Sequence, residues 1–189
     1  CLSLGDKIYK LFASKRVLLT STTEAEATKL LENLYRSVNI GLVNEFKMIC
    51  DKMNINVQNI IDAASTKNFG FQKFSPGPGL GGHCIPIDPY YLYWASSNYG
   101  YFPKFIKTSG EINNQMPSWV VNKIIRTFKK RKIYYEGKKI LIIGVAYKKN
   151  VDDDRETPAF EIMSRLEEKK IKTDYFDPYI SKLRSGRKY

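Results

Sequence analysis

Histidine is almost missing from this 189-residue sequence, where His83 stands alone. Cysteine is nearly as scarce: Cys1, Cys50 and Cys84 include no CxxC pair. Three such residues make no disulfide framework, and His83 has no companion ligands with which to hold zinc, so no metal is expected. Long apolar runs are lacking too, all far short of the roughly 20 residues a membrane span requires. Residues 1–20 lack a signal peptide's order of charged start, apolar centre and small-residue cleavage site. These absences favour a reducing cytoplasm. Acidic residues are in deficit, 19 against 31 basic, for a net charge of +12. That balance invites nucleic acid or an anionic membrane as partner. The basic residues are scattered, however, clustering only at 129–132 and 181–188. Zinc-finger spacing, an RNA-recognition signature and a heptad-bearing basic region are all missing. Charge without motif reads as solvated lysine, with some kept for a phosphorylated ligand, and neither nucleic acid nor membrane is expected as partner.

What is present is a globular composition, 43% hydrophobic and 13% aromatic. Thr23 and Glu26 make a capping box, followed by Ala27, Leu30, Leu31, Leu34, Val38, Leu42, Phe46, Ile49 and Met53 at helical spacing. No proline interrupts, so one helix of about 30 residues, about 45 Å long, is predicted. Cys50 falls in its apolar pattern as buried packing. A short helix over 57–66 follows. Residues 67–88 are loop chemistry, rich in aromatics, then glycine and proline. Helices resume over 89–98 and 103–131, with Gly110 and Pro117 expected to kink or divide the second. After Glu136-Gly137, residues 139–147 read as a buried parallel strand. Pro158 opens a helix to about Lys169, and 172–176 form a second strand stopped by Asp177-Pro178.

The fold class is therefore α/β: an all-helical central domain built on one long helix, then the start of a Rossmann-like doubly wound parallel-sheet domain. The divisions fall at 1–20, a leading connection; 21–108, the central domain; 109–136, a linking helix; and 137–189, a partial sheet domain. Two strands and one helix cannot cover both faces of such a sheet, so the chain is expected to stop partway through it.

Gly77-Pro78-Gly79-Leu80-Gly81-Gly82 satisfies G-x-G-x-x-G literally. The dinucleotide fingerprint needs a strand before it and a helix at once after, whereas an aromatic loop precedes this one. The segment ends on Cys84, with prolines at 86 and 89 and a carboxylate at Asp88. Glycines allow close backbone approach to a ligand and prolines stiffen the segment. From composition alone, Cys84 reads equally well as a nucleophile or as a structural cysteine in a rigid loop. His83 is tempting as a base. Lys29 and Asn33, four apart, share one face of the long helix, where a solvated lysine beside a surface asparagine is the plain alternative.

The run Phe74-Ser-Pro-Gly-Pro-Gly-Leu-Gly-Gly-His-Cys-Ile-Pro-Ile-Asp-Pro-Tyr-Tyr-Leu92 resembles the active-site segment of the UDP-glucose/GDP-mannose dehydrogenase family. Ile87, where UDP-glucose dehydrogenases tend to carry lysine, resembles the branch acting on UDP-N-acetylhexosamines. Residues 26–39 and 137–158 resemble the family as well, so the likeness covers nearly the whole chain. It implies NAD-dependent oxidation of a sugar C6 alcohol to the uronate through a thiohemiacetal and thioester on Cys84. It implies that Lys29 and Asn33 stabilise the developing oxyanion, and that Asp88 acts as base or orients water. Phe74, Ser75, Pro76, Gly77 and Gly81 would wrap the sugar diphosphate, Lys148 would contact substrate, and Arg155 would reach NAD. The long helix resembles the segment on which these enzymes form homodimers. Family members carry an NAD-binding domain ahead of these motifs and a longer final domain, so the resemblance implies a fragment unable to reduce NAD alone. A non-catalytic dimerisation module with weak UDP-sugar affinity is the alternative.

Overall fold

The computed structural model describes residues 1–183. Of the basic cluster at 181–188, positions beyond 183 lie outside the described residues. After a short helix α1 (Leu2–Tyr9) comes α2 (Thr22–Met53), 32 residues long and about 48 Å at 1.5 Å per residue. Its capping box is Ser21 with Glu24, two residues ahead of the predicted Thr23–Glu26 pair. Ser21 Oγ accepts from the Glu24 amide at 3.1 Å, and the Glu24 carboxylate accepts from Ser21 N at 3.2 Å. The same carboxylate takes Thr20 N at 3.0 Å and the Thr20 hydroxyl at 2.5 Å. Those extra bonds favour this register among adjacent hydroxyl residues, since each satisfied end group stabilises the first turn. Asn54, in the left-handed region at φ 57°, ends the helix.

Asn56 caps α3 (Val57–Ala64) by accepting from Gln58 N. Val57 and Ile61 of α3 pack with Val43 and Cys50 of α2, with Phe46, Ile60 and Phe74 around them. Cys50 is buried as expected. Helix α4 (Cys84–Ser97) starts at the cysteine itself, not at Pro89. The predicted loop is therefore shorter, because Pro86 falls in a first turn, where amides have no intrahelical acceptor to lose. Helix α5 (Lys104–Lys130) runs undivided through Gly110 and Pro117, so the expected division does not occur. Tertiary contact overrides the breakers: a methyl on Gly110 would collide with the Tyr90 hydroxyl, and Pro117 packs against Gly79. Lys123 of α5 pairs with Asp51 of α2, holding the Asp51 carboxyl below its usual range.

Strand β1 (Lys139–Ile143) pairs in parallel with β2 (Lys172–Phe176), Lys139 opposite Lys172 through Ile143 opposite Phe176. Helix α6 (Pro158–Glu168) connects them, with Pro158 in its first turn and Thr157 as cap. Val121 of α5 meets Ile162, Leu166 and Ile171, with Ile140 and Ile142 against them. Strand β1 is shorter than its apolar run and is covered on one face alone. Leu141 (55% exposed) and Ile143 (79%) turn away from α6, because α5 and α6 both lie on the other side. The architecture is the expected one, a helical body on one long helix followed by a βαβ unit. Among the described residues no helix is long and apolar enough to cross a membrane.

Candidate active site

Helices α2 and α4 face one another, and a half-buried polar contact between them is Asn33 with Asp88. Asn33, fully buried, donates from Nδ2 to Asp88 Oδ2 at 2.6 Å. Its Oδ1 accepts from Arg36, one turn along α2. Arg36 also has a buried Nε with no hydrogen-bond partner. Cys84 lies four residues before Asp88, hence on the same face of α4, and its thiol is free and exposed. The sulfur is thus presented to solvent rather than packed, and a fixed amide–carboxylate pair stands one turn away. Lys29 is four before Asn33, but its ammonium lies outward against Glu32 at 3.1 Å, both side chains more than half exposed. Such a surface pair contributes under about 1 kcal/mol, so Lys29 can change partner cheaply. His83 is exposed at the start of α4 and makes no side-chain cap.

The loop before Cys84 is fastened at several points. Phe74 sits against the Tyr35 ring at 5.8 Å and joins the α2–α3 core, and Lys73 binds Asp62 at 2.5 Å. Ser75 is exposed and Pro76 half-buried. The Gly77 amide donates to Asn44 Oδ1 at 2.8 Å. Farther on, the Gly82 amide donates to the Arg155 carbonyl at 3.1 Å. Between them Gly81 has no room for a side chain: a Cβ would lie 2.7 Å from Tyr147 Cβ and 3.0 Å from the Glu156 carbonyl oxygen. Gly81→Ala is expected to cost about 1–3 kcal/mol by overpacking and to free the Gly82 amide. Thermal unfolding beside amide exchange at Gly82 measures both effects, and unchanged values would show that the two surfaces part easily.

The C-terminal unit thereby comes up against the cysteine loop. Arg155 Nε lies 2.9 Å from both Asp153 carboxylate oxygens and its NH2 group donates to Oδ2 at 2.5 Å. That hydrogen-bonded pairing is the main reason its pKa is raised, with Tyr147 and Cys84 adding smaller electrostatic contributions. Lys148 Nζ lies 5.3 Å from the Tyr147 ring centroid. It lines a cavity of about 440 Å³ with Gly144, Ala146, Asn150, Asp177 and Tyr179, at the C-terminal ends of β1 and β2, where ligands of open α/β sheets bind. Asp177 anchors that rim. Oδ2 accepts from Val145 N (2.9 Å) and Ala146 N (3.2 Å), and Oδ1 from Tyr179 N (2.9 Å) and Ile180 N (3.2 Å). These amides, Val145 first, hold its carboxyl below the usual range.

Of the sequence-derived residues, Asn33, Asp88 and Cys84 come together, while Lys29 is oriented elsewhere. Phe74, Ser75, Pro76 and Gly77 form one braced loop, and Lys148 and Arg155 belong to the opposite unit. Sequence reading missed Arg36, Asn44, Asn113 and Tyr147 and gave Asp177 only the end of a strand. A signal for the asparagines existed: amides are unusual on a core-facing helical stripe.

Comparison with known proteins adds a family. The UDP-glucose/GDP-mannose dehydrogenase family matches through its central domain over residues 23–115 and its UDP binding domain over 141–189. A UDP-N-acetyl-D-mannosamine dehydrogenase of Methanococcus vannielii is 40% identical over 176 residues, 93% of this chain and 40% of that protein. A UDP-N-acetyl-D-glucosamine 6-dehydrogenase of Pseudomonas aeruginosa is 38% identical over 162 residues, 86% of this chain and 38% of that one. Among solved structures, the UDP-D-ManNAc dehydrogenase of Pyrococcus horikoshii superposes with TM-score 0.87 at 34% identity, covering 95% of this chain and 42% of that one. The chain spans about 40% of the length of the curated relatives it matches.

Proposed function

Because the chain belongs to the UDP-glucose/GDP-mannose dehydrogenase family, we propose that it carries the thiol and sugar-nucleotide site of a UDP-N-acetylhexosamine 6-dehydrogenase. The observation that carries this reading is the half-buried Asn33–Asp88 hydrogen bond one helical turn from the exposed Cys84 thiol. The sugar's C6 alcohol is oxidised first to the aldehyde. Cys84 Sγ adds to that carbon; a C–S bond forms and the carbonyl electron pair moves to oxygen. Asn33 and a redirected Lys29 stabilise the charge there, as hydrogen-bond donors held ready for an oxyanion do. Loss of hydride from the same carbon leaves a thioester. Water then attacks, the C–S bond breaks, and the thiolate departs as the uronate forms. Asp88 orients that water and takes its proton, fixed for the task by Asn33.

NAD, were it held beside this site, would supply the hydride acceptor for both oxidation stages. Arg155 is the residue of this chain we assign to it. The described residues otherwise fit it poorly: β1 leads through Gly144 into an irregular segment with no glycine triplet, and no strand precedes the Gly77–Gly82 loop. The 189-residue polypeptide is therefore expected to bind UDP-N-acetylglucosamine, seen by calorimetry, without forming NADH when NAD is added. Absence of UDP-sugar binding would defeat the substrate reading. Robust NADH formation would defeat the division of labour.

Leu31, Tyr35, Leu42, Ile49 and Met53 form an exposed stripe along α2, which supports a homodimer seated on that helix. A dimer with no affinity for UDP-sugars would favour the non-catalytic module instead. A cytoplasmic location belongs to the same proposal.

A further inference from the structure

Gly41 of α2 faces Ser109 of α5 so closely that a Cβ there would lie 3.2 Å from Ser109 Cβ and 3.3 Å from its Cα. At that separation short side chains one turn further along can span the gap. Asn44, three residues after Gly41, donates from Nδ2 to Oδ1 of Asn113, four after Ser109, at 2.9 Å. Asn113 Nδ2 in turn donates to the Ser37 carbonyl at 3.1 Å. Asn44 Oδ1 accepts from the Gly77 amide at 2.8 Å. Both amides are buried, at 0% and 1% exposure, and every nitrogen and oxygen on them has a partner. The direction is fixed as well: a backbone donor at one end and a backbone acceptor at the other allow one orientation of each amide. An apolar pair in that space would leave the Gly77 amide and the Ser37 carbonyl without these partners, so the relay provides a fixed acceptor for one loop amide.

We propose that Asn44 and Asn113 are positioning residues for the sugar-binding loop, an inference that rests on the functional reading above. Gly77 lies between Pro76 and Pro78, neither of which has an N–H. Its amide is thus the single backbone donor of that tripeptide. Drawn onto Asn44, it fixes the plane of the Pro76–Gly77 peptide. That bond is trans, so the Pro76 carbonyl points away from the α2–α5 crossing. The relay thereby sets which way the loop's acceptor faces; a carbonyl oxygen accepts from a sugar hydroxyl and not from the acceptor oxygens of the diphosphate, so it is the sugar moiety of the ligand that reads that direction.

Calorimetry on the full chain with UDP-N-acetylglucosamine and with UDP tests this. Asn44→Ala is expected to weaken the sugar nucleotide about tenfold, the worth of about one hydrogen bond, and to leave UDP within about twofold. Equal weakening of both ligands, or of neither, overturns the inference. If the wild type binds neither ligand, the functional reading falls, and amide exchange without ligand still judges the relay. Gly77 is expected to be protected in the wild type and unprotected in Asn44→Ala; an unprotected wild-type Gly77 overturns the relay. Should Asn44→Ala not fold, Asn113→Ala, which keeps the Asn44 acceptor, is expected to show a partial loss of both sugar affinity and Gly77 protection. Wild-type values in that variant would overturn the inference equally.

Discussion

Cys84→Ser is expected to stop uronate formation by on the order of 10³-fold or more, the scale on which loss of a covalent nucleophile acts. Measurement needs a chain competent for turnover. Such a chain is a chimera in which this sequence replaces the matching segment of the M. vannielii relative, 40% identical over 176 residues. A serine hydroxyl adds poorly to an aldehyde near neutral pH and leaves poorly from the ester, whereas a thiol does both well. Binding of UDP-N-acetylglucosamine is expected to persist, because Cys84 is free and exposed. A serine variant with near-normal uronate output would end the covalent reading, and Asn33–Asp88 would then stand as a structural pair. The unsubstituted chimera must be active for the comparison to count.

Asp177→Ala is expected to destabilise the C-terminal unit by about 2–3 kcal/mol, since removing the carboxylate leaves several amides without an acceptor. It accepts from Val145, Ala146, Tyr179 and Ile180, closing the turn after β1 onto the turn after β2. The pH dependence has a definite sign. The carboxyl's folded-state pKa is depressed, so its contribution is fully present above the ordinary aspartate value near about 3.9. That contribution is lost as pH falls through the lower folded value. The stability gap between wild type and Asp177→Ala should therefore be widest at neutral pH and narrow in acid. Urea unfolding across that range measures it. A gap that widens on acidification would mean that the amides, not the carboxylate charge, dominate.

The legible parts of this chain were those in which local signals agreed. Helix α2 showed its length through an unbroken apolar period, and α6 and β2 appeared close to their observed bounds because each carried its own punctuation, whereas β1 ends at Ile143, before its apolar run does. The errors have a common cause in contacts that no local pattern reports. Gly110 and Pro117 read as breakers until Tyr90 and Gly79 are seen packed on them. The start of α4 was hidden because proline at a third helical position looks like loop in one dimension. Cys84, Asp88 and Asn33 were nameable through the resemblance, but their arrangement depends on two helices distant in sequence. Asn44 and Asn113 went unread for the same reason: they stand 69 positions apart, and an amide on a core-facing stripe does not by itself name its partner.

The segment ahead of Cys84 is clasped at both ends, by α2 through Gly77 and by the C-terminal unit through Gly82. A strap with two buckles cannot swing aside like a flap. Entry of a bulky sugar nucleotide must come from the two units moving apart, or from release of the Gly82 buckle. While the Gly82 buckle holds, whatever shifts the βαβ unit shifts the segment leading to the thiol as well, so in the proposed enzyme ligand entry and presentation of the sulfur are coupled.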